Sequence, residues 1–206
     1  MPKDGSITGN RIMDIAQGMV LDVGLSGTSV EKVIEQAGVT KGTFFYHFKT
    51  KPDLAAALIE RYAAEDQLHF NLAMQKAEQL SRDPLQQLLI FLGLLIEKTD
   101  QLEAPFPGCL YASYCYQSGA ISAEIMATVE QMMLFWRQQL ADKIQQLSLQ
   151  YPPRIPVETC QLADHVLATF EGAFILSKIM NEPKLASEQL IQCRNYLELL
   201  FMPADR

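Results

Sequence analysis

Residues 41–51 read KGTFFYHFKTK and gather cations, aromatic rings and one imidazole into a single short segment. Lys41, Lys49 and Lys51 bracket Phe44, Phe45, Tyr46, His47 and Phe48. Lysines neutralise phosphate, small residues let backbone approach it, and aromatic side chains beside them suit a nucleic-acid surface better than open water. The rest of the chain offers no competing chemistry of comparable density. Cysteines 109, 115, 160 and 193 have no C-x-x-C spacing, and histidines 47, 69 and 165 form no ligand pair. Walker-type, dinucleotide-binding and nucleophile-elbow glycine patterns are all missing from the sequence. The reading is therefore of a binding protein rather than an enzyme, with no cofactor and no metal.

The charge is distributed to match. Net charge is −7, yet residues 1–62 hold seven Lys/Arg and seven Asp/Glu. All the excess acid lies beyond them, so an N-terminal module can face a polyanion that the remainder repels. The hydrophobic fraction of 49% supports a packed core. No apolar run reaches the roughly 18 residues of a membrane span, and the polar start lacks a signal core, so a cytoplasmic protein is expected.

Helical periodicity dominates. Ile12, Ile15, Ala16, Met19 and Val20 form one stripe, which Gly24 ends. TSVE at 28–31 predicts a capping box, with Thr28 capping the amide of Glu31 and Glu31 reaching back. Val30, Val33, Ile34 and Ala37 follow at helical spacing, and Gly38 supplies the turn. A third short helix runs from about Thr40 to Phe48, and Thr50 caps a fourth that extends to about Gln79. Five further helices are expected from 83 to 98, 109 to 117, 122 to 149, 157 to 180 and 185 to 201.

The second and third helices, joined by AGVT, make a helix-turn-helix pattern. In such a pair the start of the second helix enters the major groove, which puts Thr40, Lys41, Gly42 and Thr43 there. At about 100° per residue Phe44 and Phe48 share an inward face, Tyr46 points away, and Phe45 and His47 lie on the flanks.

TSVEKVIEQAGVTKGTFFYHFKTKPDL resembles the DNA-binding segment of the TetR family of transcriptional repressors, and the likeness covers about residues 6–62. The resemblance implies a nine-helix, all-α homodimer that binds a pseudo-palindromic double-stranded DNA operator and leaves it when a small molecule binds. It implies an N-terminal three-helix DNA-binding domain over 1–50, extending in family terms to about 65, with its motif at 28–47. A C-terminal ligand-binding and dimerisation domain would fill 51–206. Carried over by position, Thr28 and Ser29 touch phosphate, Thr40, Lys41, Gly42 and Thr43 lie in the groove, Tyr46 and His47 meet backbone or base edges, and Lys51 holds a phosphate. Phe45 departs from the pattern, because family members usually place tyrosine there and phenylalanine has no hydroxyl to donate.

The later helices are rich in aromatic residues. Tyr111, Tyr114, Phe135, Trp136, Phe170 and Phe174, together with Cys109, either line an effector pocket or are plain core. Cys109, after Pro107-Gly108, opens a helix whose dipole favours thiolate, which would suit a reactive-species sensor. A buried small hydrophobe is the alternative. A GCL at this point also resembles a subset of TetR-like proteins, some of which sense reactive species through cysteine. The last two helices, residues 157–201, are expected to dimerise through small residues (Ala163, Ala168, Gly172, Ala173, Ser177) and a stripe of Leu190, Leu197, Leu200 and Phe201. The leading function is a repressor released by a small-molecule or reactive-species effector. An activator of the same fold, and an all-α enzyme or carrier, are the other readings.

Overall fold

The structure, a computed structural model, describes residues 3–117 and 121–202, and every element among them is a helix. In chain order these are α1 (Lys3–Gly27), α2 (Val30–Gln36), α3 (Lys41–His47), α4 (Lys51–Leu80), α5 (Pro84–Asp100), α6 (Leu110–Cys115), α7 (Ala123–Gln150), α8 (Thr159–Met180) and α9 (Lys184–Phe201). The caps follow the sequence in most places. Asp83 accepts from the amide of Gln86 at 2.8 Å to open α5, and Ser122 accepts from Ile125 at 3.3 Å to open α7.

Two compact units divide the chain, Met1–Glu65 with Pro107–Gln131, and Asp66–Phe106 with Met132–Arg206. In the first, α1 packs against α2, α3 and α6. Its stripe is buried as expected, with Ile12, Ala16 and Val20 all inside. Arg61 on α4 donates to Asp14 Oδ1 at 2.7 Å and to Gln17 Oε1 at 2.9 Å, which fixes the start of α4 beside α1. From α6, the Tyr114 hydroxyl donates to the carbonyl of Ala55 on α4 at 3.0 Å. That ring is buried, and burial raises its phenol pKa well above the ordinary tyrosine range.

In the second unit α9 packs against α5 and α8. Its core joins Phe70, Leu88, Phe91, Leu140, Val166 and Leu197. Phe70 is a hub, with ring centroids 5.0 Å from Phe91, 5.5 Å from Phe135 and 4.6 Å from Trp136. The pairs with Phe135 and Trp136 are edge-on and that with Phe91 is tilted, and such ring pairs add roughly 0.5–1.5 kcal/mol each beyond their burial. Lys143 is the buried cation of this unit, its ammonium 2.6 Å from Glu78 Oε1 and 3.0 Å from Gln87 Oε1.

One expected stripe turns inward. Leu190, Leu197, Leu200 and Phe201 are buried in the unit's own core, so they do not supply an outer face of α9. Ala163, Ala173 and Ser177 are buried as well, whereas Ala168 is exposed and Gly172 half-buried. The large apolar groups that reach solvent here include Ile175, Leu176, Ile179 and Met180 on α8, and Tyr196 and Leu199 on α9.

Candidate nucleic-acid interface

The loop between α2 and α3 turns at Gly38, whose φ of +60° suits glycine. α3 then opens on Thr40, whose hydroxyl oxygen accepts from the amide of Thr43 at 3.1 Å. The two threonine hydroxyls are 2.8 Å apart, so one donates to the other and they hold each other at the exposed tip of the helix. Lys41 and Gly42 beside them are exposed.

The aromatic run separates by face as the helical angles require. Phe44 is fully buried and Phe48 is 7% exposed, with ring centroids 5.9 Å apart. Removing a fully buried phenylalanine ring costs about 3–5 kcal/mol, so Phe44 alone does much to hold α3 in place. Tyr46 is 74% exposed. Phe45 is half-buried, edge-on to Phe44 at 5.3 Å, and its carbonyl accepts from Lys49 Nζ at 3.0 Å. His47, expected on an outward flank, is half-buried because α1 offers Gly9 beneath it. A Cβ at Gly9 would lie 3.3 Å from His47 Nδ1, so the imidazole rests against glycine backbone.

The start of α2 differs from expectation by one residue. Ser29, not Thr28, is the N-cap and accepts from the amide of Lys32 at 3.1 Å. Thr28 instead belongs to the end of α1. Gly24, at φ +77° and ψ 166°, breaks that helix, and its carbonyl accepts twice from Thr28. The Thr28 hydroxyl donates to it at 2.8 Å and the Thr28 amide at 3.1 Å. Thr28 is 3% exposed with its hydroxyl turned inward, while Ser29 is half-buried at the head of α2. The reciprocal capping box lies further on. The Thr50 amide donates to Asp53 Oδ2 at 2.9 Å, and the Asp53 amide donates to Thr50 Oγ1 at 3.2 Å. Lys51 follows, and its ammonium donates to the carbonyl of Ser26 at 3.4 Å.

The seven residues considered for an effector pocket fall into both units. Tyr111 and Tyr114 are core of the first, Tyr111 being edge-on to Tyr62 at 5.0 Å, and Cys109 is the half-buried N-cap residue of α6. Phe135, Trp136, Phe170 and Phe174 belong to the aromatic cluster of the second, where Trp136 Nε1 donates to Asp66 Oδ2 at 2.9 Å. A cleft of about 540 Å³ in that unit is lined instead by other residues of α8, α9 and the segment leading into α8, among them Glu158, His165, Thr169, Gln192, Cys193 and Tyr196. Burial raises the Cys193 thiol pKa. Sequence patterns missed two groups that the fold uses, Lys143 and Gln117. A lone lysine in a long helix and a lone glutamine before a loop carry no periodic signal.

Among the described residues no group of His, Cys, Asp and Glu is placed to hold a metal, and no helix is long and apolar enough to cross a membrane. Residues 12–58 match the profile described as "Bacterial regulatory proteins, tetR family", a span covering the stripe of α1, the turn, α3 and the start of α4. Over most of its length the chain is similar to the transcriptional regulator AcuR of Cereibacter sphaeroides, at 23% identity over 87% of this chain and 80% of that protein. It is also similar to the transcriptional repressor DhaR of a Mycobacterium species, at 23% identity over 77% of this chain and 76% of the other. The fold is shared with a TetR transcriptional regulator from Chloroflexus aurantiacus, with a TM-score of 0.79 at 20% identity, covering 96% of this chain and 98% of that one. Residues 12–58 thus carry the module of the tetR family of bacterial regulatory proteins at the head of an all-helical fold.

Proposed function

We propose that this DNA-binding transcriptional regulator is a repressor that leaves its operator when an effector, a small molecule or a reactive species, binds or modifies it. TetR-family regulators bind operator DNA and act as dimers, and they are not enzymes. The observation that carries the DNA reading is the exposed head of α3. Thr40, Lys41, Gly42 and Thr43 stand at its tip, and Tyr46 is the exposed ring of the run. Phe44 and Phe48 anchor the helix from behind, so the tip is presented on a rigid support.

Within this reading Thr40, Lys41, Gly42 and Thr43 enter the major groove, and Ser29, Tyr46 and Lys51 meet phosphate. Phe45 packs at the edge of the contact without a donor. His47 supports α3 against Gly9 and presents only its outer edge. Thr28 positions the junction rather than touching phosphate. The reading domain spans residues 1–50 and in family terms about 65, and residues 51–206 carry effector binding and dimerisation. The operator is pseudo-palindromic, with half-sites roughly 34 Å apart or a multiple of that.

Dimerisation is assigned to residues 157–201. Ala168, Ile175 and Ile179 recur on one exposed face of α8, with half-buried Gly172 between them, and a small-residue row lets a partner helix approach closely. The effector site is assigned to the second unit, whose aromatic cluster is the apolar material such a pocket needs. An effector must favour the released conformation over the DNA-bound one to have any effect.

Selection of bound duplexes from a random library by the full chain tests the reading. A recovered site with two inverted half-sites is expected. Recovery of no DNA at moderate salt would favour an all-α carrier instead.

A further inference from the structure

We propose that Gln117, just beyond α6, is a positioning residue for DNA binding: its side-chain amide latches the junction between α1 and α2 and so sets where α2 begins. The inference rests on the reading of α2 and α3 as the DNA-contacting helices.

The junction starts at Gly24, where helical backbone fails. The combination of φ +77° and ψ 166° is one that residues with a Cβ rarely adopt. Amides just past such a break have lost their place in the helical ladder and need another acceptor. For Ser26 that acceptor is Gln117 Oε1, at 2.8 Å. The other end of the same amide group is fixed, because Gln117 Nε2 donates to the carbonyl of Ser113 at 3.0 Å, one turn back along α6. Ser113 in turn donates its hydroxyl to the carbonyl of Val20 on α1 at 3.4 Å.

Glycine at 24 is required twice over. A Cβ there would lie 2.5 Å from Gln117 Nε2 and 3.0 Å from its Cδ. The side-chain amide thus occupies the space that any other residue at 24 would fill. The close approach and the left-handed backbone are parts of one arrangement.

The neighbouring backbone groups are held by side chains that lead directly to the interface. The Ser26 carbonyl accepts from Lys51, and the Gly24 carbonyl accepts from the Thr28 hydroxyl. Ser29, the cap of α2, is the next residue. Gln117 therefore fixes the peptide between two proposed phosphate contacts, Ser29 and Lys51, without being one. Its absence would let residues 25–28 shift, and with them the position of α2 relative to α4.

The test uses the full-length chain and a duplex recovered by selection, with affinity read by fluorescence anisotropy and the active fraction fixed by stoichiometric titration. Gln117→Ala is expected to weaken binding about five-fold, the equivalent of one net hydrogen bond, and to speed hydrogen exchange at the Ser26 amide. Gln117→Met keeps the bulk of the side chain but removes both of its hydrogen bonds, and should weaken binding about as much as Gln117→Ala. A Gly24→Ala variant should bind more weakly than Gln117→Ala, and adding Gln117→Ala to it should cost less than five-fold, because the 2.5 Å clash is then relieved. Wild-type affinity in Gln117→Ala overturns the latch, as does wild-type affinity in Gln117→Met, which would assign the effect to packing. Failure of the wild type itself to bind DNA overturns the functional reading, and this inference falls with it.

Discussion

Lys51→Gln separates charge from structure at the interface. In the structure the Lys51 ammonium donates to the Ser26 carbonyl at 3.4 Å, and a glutamine amide can still donate there, so the fold is little disturbed. What disappears is one positive charge per chain, two per dimer. Each neutralised phosphate contributes about −0.9 to the slope of log affinity against log salt. Two lost contacts should therefore make that slope shallower by about 1.8. Between 50 and 200 mM salt the wild type should then lose about twelve-fold more affinity than the variant. Anisotropy titrations at four or more salt concentrations measure both slopes, with the selected duplex and a scrambled duplex run in parallel. The weakening should be the same on both, because phosphate carries no sequence information. An unchanged slope, or a loss confined to the selected site, would refute the phosphate role of Lys51.

Phe45→Tyr restores a hydroxyl on the flank of α3 and should leave operator affinity unchanged or raise it by up to about five-fold, read by anisotropy. A large loss would mean that the half-buried ring cannot accept a polar edge. Glu78→Ala should destabilise the second unit by about 2–3 kcal/mol, below the 3–5 kcal/mol of a fully buried pair because Glu78 is half exposed. Lys143→Met should cost less than Glu78→Ala, since it removes the buried charge, and urea melts at one protein concentration compare them. Cys109→Ser should keep DNA affinity and lose the response to an oxidant, measured as release of bound duplex. A response equal to wild type removes Cys109 as the sensor.

The reading helices were legible because their signals are local. The 3.6-residue stripe of α1, the glycine turn at 38 and the inward angle of Phe44 and Phe48 all follow from spacing, and Tyr46 stands outside as the same angles require. Thr28 was misplaced because both Thr28 and Ser29 are eligible caps. The choice between them is made by the carbonyl of Gly24, in the preceding helix, which engages the Thr28 hydroxyl and leaves Ser29 to cap α2. His47 was placed too far out for a similar reason. Its partner, Gly9, is far away in sequence and has no side chain to betray the contact. The stripe of Leu190, Leu197, Leu200 and Phe201 was correctly apolar but wrongly directed, since an apolar row does not say whether its own chain or another covers it. Gln117 and Lys143 carried no pattern at all, because each acts through one distant partner rather than through periodicity.

The unit that bears the reading helices is not contiguous in sequence, since Pro107–Gln131 completes what Met1–Glu65 begins. During synthesis at roughly 5–20 residues per second, the N-terminal helices must wait several seconds for Tyr114 and Gln117 to arrive. Until then the Ser26 amide and the buried faces of α1 and α4 lack their partners from α6. Excising the first 65 residues as a portable DNA-binding cassette would freeze the protein in that unfinished condition. A transferable reading head for chimaeric regulators therefore has to carry α6 with it.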